Sequence, residues 1–177
     1  MKNWNQEEWS GKVRQDAGEI GHTVDPEEEK KAREKAVYYL QFSGKTESEL
    51  RRKLAEQGFS PASVDSAIEY VKAHRYLDDE DYVRRFVEKN GRKKSRRQME
   101  HELSGKGIAK EVLSEVFEDV QIDEKEQILA ILEKRNYPRG EDTREQRQKI
   151  FGYLARKGFS GDDIAAALIQ FARKTTD

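Results

Sequence analysis

Four consecutive acids, Asp78 to Asp81 in YLDDED, are the first residues whose type and spacing could do chemistry, since clustered carboxylates ligate divalent cations. Ligation needs side chains that converge, whereas neighbouring positions on a helix diverge. The same residues suit a helix start. Asp78 is then the N-cap, Asp79 to Asp81 complement the positive pole, and Leu77 packs as a staple on Tyr82. Capping is the stronger reading, and no metal or other cofactor is expected. His22, His74 and His101 are isolated, with no His-x-x-x-His pair, and cysteine is absent. No Gly-x-x-x-x-Gly-Lys-Ser/Thr phosphate loop or Gly-x-Ser-x-Gly elbow occurs. The expectation is a protein that is not an enzyme.

The second candidate is a basic run. Between Arg84 and Lys106 stand Arg84, Arg85, Lys89, Arg92, Lys93, Lys94, Arg96, Arg97 and Lys106 against Glu88, Glu100 and Glu102, a local net of +6. The whole chain carries 34 Lys plus Arg against 35 Asp plus Glu, so this asymmetry is local. Such a patch suits phosphates or an acidic protein surface; the plainer alternative is a solvated loop between two helices. Arg84 to Arg97 are the candidate contacts to a partner.

The elements that position these residues are helices. Strand-type alternation is missing, and apolar residues recur at spacings of three and four, as in Leu50, Leu54 and then Val64, Ala67, Ile68, Val71. Of 177 residues, 34% are hydrophobic and 39% charged, well above the usual quarter, which favours a thin body with much surface over one thick core. The near-neutral total and the ordered apolar pattern argue against disorder beyond residue 30. Met1 is followed by polar residues, and the longest apolar run, Ile164 to Ile169, is far too short to span a bilayer, so a cytoplasmic protein without membrane contact is expected.

One phrase is written three times: LAEQGFS from Leu54, LSGKGIA from Leu103 and LARKGFS from Leu154. If each glycine follows a helix, it adopts the left-handed backbone that closes the helix end, and the next apolar residue folds back on the leucine. The pairs are Leu54 with Phe59 across Gly58, Leu103 with Ile108 across Gly107, and Leu154 with Phe159 across Gly158. Apolar positions before and after align without gaps, and a further apolar-periodic helix precedes each copy. The reading is all-α, with three tandem three-helix repeats forming an elongated, curved array. The expected divisions are a polar tail at 1–25 carrying Trp4 and Trp9, then repeats at 26–75, 76–121 and 122–177. The repeated phrase is expected to touch only its own repeat.

Helix, glycine turn and helix also resemble a helix-turn-helix, which gives an alternative function: a tandem DNA-binding module acting alone. The helices after the glycines, SPASVDSAIEYV, AKEVLSEVFEDV and SGDDIAAALIQF, are acidic or apolar and would repel a duplex.

The phrases RYLDDEDYVRRFVEKN (Arg75 to Asn90), QMEHELSGKGI (Gln98 to Ile108) and REQRQKIFGYLARKGFSGDDIAAAL (Arg144 to Leu168), with ESELRRKLAEQGFS before them, resemble the RecX family of bacterial recombination regulators. The likeness runs from about Ala32 to Ala172. It implies a monomer that binds the RecA recombinase, lies in the groove of its filament on DNA, and inhibits ATP hydrolysis and strand exchange. It also implies contacts to single- or double-stranded DNA within or beside that filament. Two departures stand out. Arg75 occupies the first position of the family's Gly-Tyr-Leu-Asp-Asp, and RKKSRRQM replaces a loop that often contains glycine.

Overall fold

The structure, a computed structural model, describes residues 25–139 and 142–173. The expected tail with Trp4 and Trp9, and His22 within it, lies outside the described residues apart from Asp25. Within the described residues there are nine helices and no strand: α1 Pro26–Phe42, α2 Glu47–Glu56, α3 Pro61–Ala73, α4 Asp79–Asn90, α5 Arg96–Gly105, α6 Lys110–Asp119, α7 Glu124–Lys134, α8 Arg144–Arg156 and α9 Gly161–Arg173. They form three tandem three-helix repeats, α1–α3, α4–α6 and α7–α9.

Local chemistry explains most of the starts. Asp25 caps α1 ahead of Pro26, and Ser60 caps α3 ahead of Pro61, where the missing N–H costs nothing. Thr46 and Thr143 open α2 and α8 with capping boxes. At α4, Asp78 Oδ1 accepts the Asp81 N–H at 3.0 Å. The buried stripes then follow the helical period. Leu50 and Leu54 of α2, and Val64, Ala67, Ile68 and Val71 of α3, pack with Ala32, Ala36 and Leu77 into one core. Ile128, Leu129, Leu132, Ile150, Leu154, Phe159, Ile164, Ala167 and Phe171 form another. Each large aliphatic or aromatic side chain so buried contributes about 1.5–3 kcal/mol.

Gly58, Gly107 and Gly158 have φ of +87°, +79° and +90°. After α8 the ending is complete: the Gly158 N–H donates to the Ala155 carbonyl at 2.9 Å and the Phe159 N–H to Leu154 at 3.3 Å. Two further helices end the same way without glycine. At Arg75 (φ +55°) and Asn136 (φ +50°) the chain turns left-handed. The next residues, Tyr76 and Tyr137, donate back to Val71 and Leu132 at 2.8 and 3.0 Å. Asparagine tolerates that backbone better than arginine does. Arg75 therefore holds under strain a turn that glycine would adopt freely. Arg75→Gly is expected to raise stability by about 1 kcal/mol, read as a higher urea midpoint at unchanged slope.

The chain divides into two compact units, one running to Tyr82 and taking in Lys106–Ala109, the other comprising Val83–Gly105 and the chain from Lys110. Each unit contains the same contact between successive repeats. In the first, the buried Thr46 hydroxyl accepts the Glu49 N–H at 3.2 Å and donates to the Lys106 carbonyl at 2.6 Å. Asp79, at the start of α4, accepts the Glu47 N–H at 2.9 Å. In the second unit, the buried Ser95 hydroxyl accepts from Gln98 N–H at 3.2 Å and donates to the Lys157 carbonyl at 2.7 Å. Glu124, at the start of α7, accepts the Arg96 N–H at 2.6 Å. Burial raises the pKa of both Asp79 and Glu124, against the pull of those backbone bonds.

The helix stop of one repeat is thus bonded to the capped helix start of the repeat before it. The structure departs here from the expectation that the repeated phrase touches only its own repeat. A Cβ on Gly107 would fall well inside contact distance of the Ser48 side chain, and one on Gly158 would lie 2.6 Å from Ser95 Oγ. These glycines therefore supply both a backbone angle and the clearance for a neighbour.

An ion pair reinforces the first contact: Lys106 Nζ lies 2.7 Å from Glu49 Oε1. Burial would raise the Glu49 pKa, but the bonds from Lys106 and from the Thr46 N–H prevail and lower it; the bond to Glu49 raises that of Lys106. The pair's contribution to stability is accordingly full between the ordinary values of 4.5 and 10.5. It is lost as pH falls through the lowered glutamate value or rises through the raised lysine value. Glu49→Gln is expected to flatten both flanks of the stability–pH curve relative to the unaltered chain, in urea titrations across that range.

Candidate partner-binding surface

The basic run spans the end of α4, the turn at 91–95 and the start of α5. Val83 and Val87, four residues apart, bury one face of α4, which leaves Arg84, Arg85 and Lys89 exposed on the others. Asn90 then shapes the turn, its carbonyl accepting from Lys93 and Lys94 N–H at 2.8 and 3.0 Å, and its side-chain amide donating to the Phe86 carbonyl at 2.8 Å. Met99 and Leu103 bury the inner face of α5 and point Arg96 and Arg97 outward.

The third repeat fixes this turn at three places. The Ser95 hydroxyl and the Arg96 N–H make the bonds to Lys157 and Glu124 already described. Buried Gln127 of α7 donates through Nε2 to the Gly91 carbonyl at 2.5 Å. A basic turn pinned by two hydrogen-bonded side chains and a capped helix is pre-organised, so less ordering entropy opposes binding.

The structure divides seven of the eight candidate cations into two groups. Three have internal work. Arg84 pairs with Asp119 at 2.8 Å. Lys94, half-buried, pairs with Glu102 at 2.5 Å and lies over the Phe86 ring. Arg96 pairs with Glu100 at 2.8 Å, donates to the Phe117 carbonyl at 3.2 Å and covers the Phe117 ring. The side chains of Lys89, Arg92, Lys93 and Arg97 are exposed and make no ion pair or hydrogen bond with the described residues. Arg85 is exposed but not without a contact. The four uncommitted cations frame a positive surface of about one turn and two helix ends, able to meet phosphates or carboxylates without first breaking an internal pair.

Sequence reasoning located the basic run by charge alone and missed this division. It also missed Thr46, Ser95 and Gln127. The spacing Thr46-x-x-Glu49 announces the cap, but nothing local announces the second bond of its hydroxyl, made to a carbonyl far along the chain. Among the described residues, no group of three or more His, Asp and Glu side chains is placed to hold a metal ion, and no helix is long and apolar enough to cross a membrane.

Two family models match, described as RecX, first three-helix domain, over residues 32–71, and RecX, third three-helix domain, over residues 123–168. The regulatory protein RecX of Clostridium botulinum is 30% identical over 148 residues, which cover 80% of this chain and 70% of that protein. The regulatory protein RecX of Caldanaerobacter subterraneus subsp. tengcongensis is 33% identical over 144 residues, covering 80% and 71%. The crystal structure of RecX from Lactobacillus salivarius shares the fold with a TM-score of 0.74 at 22% identity, covering 82% of this chain and 97% of that one.

Proposed function

The chain belongs to the RecX family of regulatory proteins, and from that premise we propose that it binds the RecA recombinase filament and lowers its ATP hydrolysis and strand exchange. The observation that carries the reading to particular residues is the set of uncommitted cations Lys89, Arg92, Lys93 and Arg97, held by the third repeat in one pre-organised surface. Regulation here is binding and obstruction. A repeat protein offers much surface per residue, which suits a long polymer as partner. In this reading the cations meet carboxylates of recombinase subunits or phosphates of the DNA inside the filament, and the chain acts as a monomer in the cytoplasm without catalytic chemistry of its own.

Co-sedimentation separates this reading from that of a DNA-binding module acting alone. With recombinase, single-stranded DNA and ATP, the protein is expected in the pellet at physiological salt. With DNA alone it is expected in the supernatant, because four exposed cations neutralise few phosphates and so gain little affinity from counterion release. Tight binding to bare DNA with no added retention by recombinase would replace the filament reading with the other.

A further inference from the structure

The contact between repeats has two halves, and the chain contains one half more often than it is used. Twice, a helix-stop carbonyl followed by a left-handed glycine receives a hydroxyl from the capped start of a helix: Lys106–Gly107 from Thr46, and Lys157–Gly158 from Ser95. Gly107 and Gly158 are half-buried, with Ile108 and Phe159 buried beside them. The third copy of the stop, Gln57–Gly58, has the same backbone, with Gly58 at φ +87° and its N–H bonded to the Ala55 carbonyl at 2.9 Å. Among the described residues it receives no hydroxyl: Gln57 and Gly58 are exposed, Phe59 is half-covered, and a Cβ built on Gly58 meets no described atom within 4 Å.

The start of α8, although capped by Thr143, does not match the missing half in register. In α2 and α5 the capping hydroxyl stands eight residues before the aligned leucine, Leu54 or Leu103. In α8 the helix begins three residues earlier, at Thr143, so the position eight before Leu154 is Gln146, inside the helix. The start of α8 therefore differs in register from those of α2 and α5. The first repeat keeps its stop open, presenting the negative pole of α2 through the Gln57 carbonyl, with the positive pole of a helix start as the complementary charge.

We propose that the Gln57–Gly58 face is a docking site for a partner protein's helix start capped by serine or threonine. The partner hydroxyl donates to the Gln57 carbonyl, and the small residues after the cap sit against Gly58, as Ser48 sits against Gly107. This site is separate from the basic surface, and assigning the partner to the filament rests on the function proposed above.

The chain has no cysteine, so Gln57→Cys gives a single attachment point for a photoreactive crosslinker. With recombinase filaments on single-stranded DNA, the adduct is expected on the recombinase within the first turn of a helix whose N-cap is serine or threonine. Gly58→Asn, which keeps the left-handed turn and adds a side chain in the docking space, is expected to weaken filament binding at least tenfold with the basic surface intact. Adducts confined to the chain's own residues or to a partner surface that is no helix start would overturn the proposal, as would unchanged binding by Gly58→Asn. If the unaltered chain does not co-sediment with filaments at all, the filament reading and this assignment fall together; if it does and Gly58→Asn matches it, only the docking site falls.

Discussion

Gly107→Ala and Gly158→Ala are expected each to lower the unfolding free energy by about 3 kcal/mol, and Gly58→Ala by only about 1 kcal/mol, in urea titrations of the three variants. A left-handed backbone costs an L-residue about 1–2 kcal/mol, offset in part by the smaller entropy of the unfolded alanine chain. That cost is common to all three, whose φ values lie between +79° and +90°. The rest comes from the neighbour. A methyl on Gly107 overlaps the Ser48 side chain, and one on Gly158 overlaps Ser95 Oγ, a buried hydroxyl that cannot rotate away without losing its bonds to Gln98 and Lys157. Forced overpacking of this kind costs about 1–3 kcal/mol. Gly58 has no such neighbour. Equal losses at the three positions would mean that the glycines serve the turn alone and that the contact between repeats carries no energy.

The second large effect concerns the cations. Replacing Lys89, Arg92, Lys93 and Arg97 together by glutamine is expected to raise the concentration needed for half-inhibition of the recombinase roughly thirty-fold. Four exposed charge contacts at about 0.5 kcal/mol each amount to about 2 kcal/mol, and about 1.4 kcal/mol is a factor of ten. The urea midpoint should stay within error, because none of the four is tied to the described residues. Arg96→Gln is expected to behave in the opposite manner. It releases the Phe117 carbonyl and Glu100, so it lowers stability, with a smaller effect on half-inhibition. Addition of salt should reduce the difference between the quadruple variant and the unaltered chain, since exposed pairs are screened. An unchanged inhibition curve for the quadruple variant would assign the basic run to solvent.

These two effects mark where the sequence could be read and where it could not. The helix stops were legible because a left-handed residue strongly favours glycine, and a leucine and a large apolar residue at fixed distances complete the pattern. The stop at Arg75 was hidden for the converse reason: its backbone is as left-handed as that of a glycine, but arginine carries no sign of it. The all-helical repeat architecture was legible in the period of Leu50, Leu54, Val64, Ile68 and Val71, all of which the structure buries. The bonds from Thr46 to Lys106 and from Ser95 to Lys157 were not, because a hydroxyl that caps its own helix looks the same whether or not it donates elsewhere. The same limit applied to the basic run. Charge is written in the sequence, but whether Arg96 faces solvent or holds the Phe117 carbonyl depends on how two helices pack.

Steady-state ATP hydrolysis by recombinase filaments on single-stranded DNA, titrated with this protein, tests the proposed regulation most directly. The account predicts a fall in rate that saturates with protein concentration, accompanied by protein in the filament pellet. A rate unchanged at every concentration, with the protein left in the supernatant, would contradict it.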